Sequence, residues 1–256
     1  MYEHPLFIEN RIEVLANAIG TYSLATLVHV IDSIPHADHL PMILDENAEG
    51  NRVLAAHVAR ANPLWKQVDQ TSMSLAIFQG AQQYISPEWY PSKKQHGKVV
   101  PTWNYIVVHV TGRITVKKNI DWLHAHLEKL TSHQESDRRN PWKISDAPEE
   151  YMRRQMRGIV GIEMTIANIS GKWKLSQNRT PEDREGVIAG LQGEKSENAR
   201  VMAGLIPGKE GGGRKTRESG GIEAAILSFT RGRVPGVRPI STYTRGRGSP
   251  SASVSW

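Results

Sequence analysis

Between residues 23 and 176 the apolar residues fall mostly into short runs rich in Val, Ile, Leu and Thr, each closed by Gly, Pro, Asn or Asp. No other feature constrains the fold as much. Runs of that length and composition are strands, and helical stretches separate them too rarely for βαβ units, so a Rossmann-type domain is not expected. Residues 23–31 and 36–44 read as a hairpin across Asp32-Ser33-Ile34-Pro35. A third strand over 52–60 ends at Ala61-Asn62-Pro63, because Asn favours turns and Pro cannot donate to a ladder. Residues 73–79 form a fourth strand, continued by Tyr84-Ile85. Residues 99–110 and 113–116 read as a hairpin about Thr111-Gly112, and 161–170 with 172–176 as a last pair.

Helices are predicted around this set. The first is capped by Asn10 with Glu13, its apolar face made by Ile12, Leu15, Ala16 and Ile19. Others are expected over 119–130 and 147–159, and a last one from Thr180-Pro181 to Leu191. About seven strands with helices between and after them imply an α+β barrel or sandwich.

Charge divides the chain in two. Residues 1–192 hold 21 Lys+Arg and 21 Asp+Glu, a balance of zero, while 193–256 hold 11 and 5, which is the whole net charge of +6. Twelve of the 22 glycines also lie after residue 192. The expectation is a folded domain over 1–192 and a basic, Gly-rich, disordered tail over 193–256. The basic pI is then no argument that the folded domain binds DNA. Without cysteine there is no disulfide, thiolate metal site or thiol nucleophile. The longest apolar run, near Leu24–Ile31, is too short to cross a bilayer, and no signal peptide is seen; a soluble cytoplasmic protein is expected.

No Walker loop, zinc-protease motif or nucleophile elbow is present. Ten histidines show no ligand spacing, so no metal site is expected. What stands out is polar and aromatic residues crowded into strand-like segments: His57 to Pro63, Tyr84 to Tyr90, Lys98 to Tyr105 and Lys172 to Arg179. Breaking local rules this often marks a site. Arg, Lys and hydroxyl donors suit a phosphate, and aromatic walls suit a flat ring.

The strings HVARANPLW (57–65), AIFQGAQQYISPEWYPSKKQHGKVVPTWNY (76–105) and GKWKLSQNR (171–179) closely resemble the PaiB-like FMN-binding negative transcriptional regulators, of the pyridoxamine-phosphate-oxidase-like superfamily. The resemblance covers 1–192 and stops there; it departs also at the start, where Pro5 precedes Phe7 at shifted spacing. It implies a six-stranded split β-barrel, a homodimer, and FMN in a groove between subunits. Carried over, Arg60 and Asn62 would donate to the phosphate with His57 nearby, and Lys98 or Ser86 would complete that shell. Thr102 and Asn104 would meet the ring's polar edge with Trp103 beside it. Lys174, Gln177 and Arg179 would reach across the dimer or close the site; Thr26 is a weaker candidate. The resemblance implies a regulator, with an FMN-dependent oxidoreductase, including a haem-degrading one, as the alternative. His39, His57 and His96 are possible proton donors for an enzyme. A DNA or protein partner would suit a regulator, with Arg153, Arg154 and Arg157 on the 147–159 helix as a phosphate-contacting stripe, though the neutral charge of the domain does not favour DNA.

Overall fold

A computed structural model describes residues 1–208. In chain order the elements are β1 (Ile8–Glu9), α1 (Ile12–Thr21), β2 (Leu24–Ile31), β3 (Ile34–Pro41), β4 (Ile43–Glu46), β5 (Arg52–Ala59), α2 (Leu64–Gln67), β6 (Met73–Ile85), α3 (Ser92–His96), β7 (Thr102–Lys117), α4 (Ile120–Glu135), α5 (Glu149–Arg157), β8 (Ile159–Lys174), α6 (Pro181–Gly193) and α7 (Glu197–Leu205). The strands form one antiparallel sheet in the order β3-β2-β6-β7-β8-β5-β4, and β1 adds to β8.

The connection between the two edges makes this sheet a barrel. β3 lies at one end of the order and β4 at the other, yet only Met42 separates them in sequence. A sheet whose edges are one residue apart must curl on itself, which removes exposed edges. Met42 is fully buried, and its N–H donates to the Ser23 carbonyl at 2.8 Å. Counting β3 and β4 as one bent stave gives six staves, the split barrel that the resemblance implied, with helices at its periphery.

Period-two alternation fills the barrel. Leu54, Ala56 and Val58 of β5 point inward with Ile162 and Met164 of β8, Ile106, Val108 and Val110 of β7, and Phe78 of β6. Leu15 and Ile19 of α1 join that core, each contributing about 1.5–3 kcal/mol by burial. The other face of β5 and β8 is covered by α4, where Ile43, Ala55 and Leu130 form a smaller cluster with Trp122. Gly161 permits this approach: a Cβ there would lie 2.2 Å from the Trp122 ring.

Several sequence expectations change. Residues 99–116 are not a hairpin: β7 runs straight through Thr111-Gly112, which is a register shift against β8. Gly112 is required because the Thr165 carbonyl would meet its Cβ at 2.1 Å, a close backbone approach that a sequence reads as a turn. The last pair is likewise one strand, β8, in which Gly171 faces the Leu15 side chain at a distance that excludes a Cβ. The bulge in β6 between Gln79 and Gln82 joins the two expected pieces into one strand. Asn10 does not cap α1; Arg11 occupies the cap position, with its N–H on Glu9 Oε1 at 2.8 Å. Thr180 does cap α6, accepting from the Asp183 N–H.

Order also continues beyond residue 192. Helix α7 buries Ala199, Met202 and Leu205 in the main core, and Ile206 follows them. The expected tail is therefore folded over its first part, because an amphipathic run with four core-facing residues, Ala203 included, offsets the ordering entropy that its composition implied. The remainder of the expected tail, 209–256, lies outside the described residues.

Candidate flavin-binding site

Strand alternation puts Lys172 and Lys174, two residues apart, on the same outward face of β8. Trp173 between them is 3% exposed and belongs to the core. Facing them across the ladder are Val107 and Tyr105 of β7. The Lys174 Nζ donates to Thr102 Oγ1 at 2.5 Å. The Lys172 ammonium lies 5.3 Å from the Tyr2 ring and 5.8 Å from the Tyr105 ring, and donates to the Tyr2 carbonyl. Just beyond β8 the Arg179 guanidinium sits 4.6 Å over the Tyr90 ring.

These three cations share one neighbourhood. Burial pushes the Lys174 pKa down, and the positive charges of Lys172 and Arg179 push it further the same way. Among the described residues none of the three has a carboxylate ion pair. Mutually repelling cations without a counter-charge are a ready anion site, and a phosphate dianion would relieve the repulsion. Beside them Trp103 and Tyr84 stand edge-to-face, 6.1 Å apart, and remain 52% and 42% exposed. Exposed aromatics next to a cationic ledge fit FMN, with phosphate donors at one end and a flat apolar wall at the other.

The other candidate residues are distributed unevenly. Ser86 follows Ile85, which pairs with Thr102, so it borders the ledge; its hydroxyl accepts from the Glu88 N–H. Lys98 precedes β7 in the same loop and is exposed. Asn104 is fully buried and donates to Ser176 Oγ at 2.9 Å, and Gln177 is held by the Leu175 N–H and the Trp173 carbonyl. Each therefore has one amide N–H committed to its own fold. Thr26 lies on β2, bonded to His39 Nδ1 at 3.1 Å, and not on β7 or β8.

His57, Arg60 and Asn62 form a separate group at the opposite end of β8. Arg60 donates to the Arg157 and Ile159 carbonyls at 2.6 and 3.0 Å. Asn62 donates to Asp38 Oδ1 at 2.7 Å and accepts from the Leu64 N–H. His57 Nδ1 lies 3.1 Å from His126 Nε2 under α4, with its pKa lowered by burial. Ile159 opens β8 and Lys174 closes it at the other end of a 16-residue strand, a contour of roughly 50 Å. Near Arg60 the Trp65 ring has the Lys66 and Lys118 ammonium groups at 5.1 and 5.0 Å, a second cationic cluster.

Sequence reasoning missed Lys172, Tyr105 and Tyr90. The Lys-Trp-Lys alternation was a readable signal, since in a strand it puts both lysines on the face opposite Trp173. The contact of Arg179 with Tyr90 was not readable, because the residues are far apart in sequence.

The closed six-stave sheet places the protein in the split-barrel class. The chain belongs to the family described as "Putative FMN-binding domain", which matches residues 1–168, and FMN is its cofactor. It is 32% identical over 209 residues to "Protease synthase and sporulation protein PAI 2" of Bacillus subtilis, covering 82% of this chain and 98% of that protein. It is 31% identical over 241 residues to "Uncharacterized protein AN0679" of Emericella nidulans, covering 80% of this chain and 96% of that one. A flavocytochrome, Anf3 of Azotobacter vinelandii, superposes with a TM-score of 0.49 at 13% identity over 70% of this chain and 72% of that one.

Proposed function

We propose that the protein is a homodimeric, FMN-dependent oxidoreductase that holds the FMN phosphate on Lys172, Lys174, Arg179 and the Thr102 hydroxyl. The observation that carries this reading is the cluster of three cations that have no carboxylate ion pair among the described residues, beside exposed Trp103 and Tyr84 where β7 begins and β8 ends. Bound FMN supplies one- or two-electron transfer at its ring. The chain's own residues bind the phosphate, orient the ring against the aromatic pair and leave its edge accessible to a small electron donor or acceptor. Asn104 and Gln177 act as positioning residues, fixing the backbone that carries Lys174 and Arg179.

The separation along β8 supports the dimer. His57 and Arg60 touch the same flavin as Lys174 only when a second copy brings them there. His39, His57 and His96 remain the candidate proton donors; each has one ring nitrogen engaged, His39 with Thr26, His57 with His126 and His96 with the Lys98 N–H.

The regulator reading has one observation in its favour, the similarity to PAI 2, whose name refers to protease synthesis and sporulation. The surface gives it less support. On α5, Arg153 is paired with Glu149 at 2.6 Å, and Arg154 packs over Tyr151 at 5.7 Å, so two of the three arginines in the supposed stripe are engaged within their own helix. A duplex requires many unneutralised cations along one face.

The test is a flavin titration of the full chain followed by anaerobic addition of NADH or NADPH, with light scattering to give the mass in solution. A dimer whose FMN is bleached and then recovers its colour with oxygen, a quinone or a nitroaromatic supports the proposal. Flavin that no reductant bleaches, together with sequence-specific DNA retention at about 0.15 M salt, would replace it with the regulator.

A further inference from the structure

A second cavity lies at the end of the barrel where β2 and β3 meet the α2 turn, with a volume of about 330 Å³. His29, His36, Asp38, Asn62, Leu64 and Gln67 line it, and no Arg or Lys does. Its polar wall is a relay: Asn62 Nδ2 donates to Asp38 Oδ1 at 2.7 Å, and Asp38 Oδ2 lies 2.9 Å from His29 Nε2. A carboxylate only accepts, so His29 carries its proton on Nε2, and in the neutral ring Nδ1 is a lone pair. That Nδ1 is buried without a partner, on a residue 2% exposed. His36 stacks on His29, ring centres 5.8 Å apart.

The unbalanced chemistry of this wall identifies what fits it. The one charged group of the lining is the Asp38 carboxylate, which retains lone pairs after its two bonds; the side-chain amides of Asn62 and Gln67 flank it. The remaining wall is apolar or aromatic, with Leu64 and the His36 ring. A phosphate or carboxylate would meet the Asp38 carboxylate with no Lys or Arg in the lining to offset it.

We propose that this cleft is a binding site for a small organic ammonium ion, with its charged head on Asp38 and its alkyl part against Leu64 and the His36 ring. The site is separate from the cationic ledge and does not rest on how FMN is held. It also assigns Asn62 a role in orienting Asp38, where the sequence had suggested a phosphate contact.

The test uses the full FMN-loaded chain labelled with 15N-histidine at pH 8, where an ordinary imidazole is neutral. n-Butylammonium, n-butanol and butyrate are titrated while the His29 ring nitrogens are followed by NMR. Saturable shifts are expected with butylammonium only, with no change in the flavin spectrum. Asp38→Asn is expected to weaken binding by about tenfold or more, since it removes the charged acceptor. His36→Ala, at an exposed position that leaves the core intact, is expected to weaken it several-fold with an unchanged melting curve. Butyrate or butanol binding as well as butylammonium, no saturable shift at all, or full affinity in both variants would overturn the proposal. A protein that binds butylammonium but not FMN would leave this site standing and remove the flavin reading instead.

Discussion

Lys174→Met tests the cationic ledge through two quantities that a merely structural lysine would not separate. In the free protein the substitution removes the Nζ–Thr102 bond, at a cost of about 1 kcal/mol for a half-exposed group. It also removes repulsion from Lys172, about 7 Å away on the same strand face, which at an effective dielectric between 20 and 80 is about 1 kcal/mol. The two effects offset, so the stability of the free protein should stay within about 1 kcal/mol of the parent. FMN affinity should fall by about 1.5–3 kcal/mol, roughly ten- to a hundredfold in Kd, because a charge-assisted phosphate contact is lost. Flavin fluorescence titration gives the Kd, and urea melts without FMN give the stability. Alkaline pH adds a signature. The Lys174 pKa lies below its ordinary 10.5 in the fold, so between the two values the unfolded chain holds more protons and the free fold gains stability as pH rises. A bound phosphate draws that proton back, so FMN affinity in the parent should decline through the same window, and this Lys174-dependent decline should be absent from Lys174→Met. Unchanged FMN affinity in the variant, or an affinity loss matched by an equal loss of stability, would refute the argument.

Three further outcomes follow from the packing. Burial, aided by the nearby His57, lowers the His126 pKa from 6.5 to about 4; its stabilising contribution is therefore present above 6.5 and lost as pH falls towards 4, by up to about 3 kcal/mol. Urea melts of the parent and of His126→Phe between pH 7.5 and 4.5 should show a shallower acid slope in the variant, and parallel slopes would contradict this. Gly161→Ala drives a methyl group into the Trp122 ring and should cost about 1–3 kcal/mol by chemical denaturation; an unaffected midpoint would mean that α4 does not seat there. Met202→Ala empties a fully buried position in α7 and should cost about 2–5 kcal/mol, whereas a negligible effect would detach α7 from the folded domain.

The strand content was legible because alternation is a local property. Leu54, Ala56 and Val58 announce the inward face of β5 whatever the rest of the chain does. The helix start at Thr180-Pro181 was legible for the same reason, since a cap is a contact over three residues. Gly112 and Gly171 misled because a glycine serves a turn and a close approach equally well, and only the neighbouring strand distinguishes them. Residues 197–206 were hidden among tail-like composition because four buried positions in α7 are too few to outweigh the surrounding glycines and charges.

For the site, the sequence determined the chemical supply: the lysines alternating around Trp173, the arginine after them, and the aromatics of the 84–105 segment. Those follow from residue type and a period of two. Only the tertiary structure decided how the supply is divided. It engaged Asn104, Gln177, Asn62 and Arg60 in bonds to their own fold, set Arg179 over Tyr90, and placed His57 and Arg60 at the far end of β8 from Lys174. Hydrogen-bond partners and end-to-end separations depend on which strands become neighbours, and the closure through Met42 that fixes those neighbours is a property of the whole barrel.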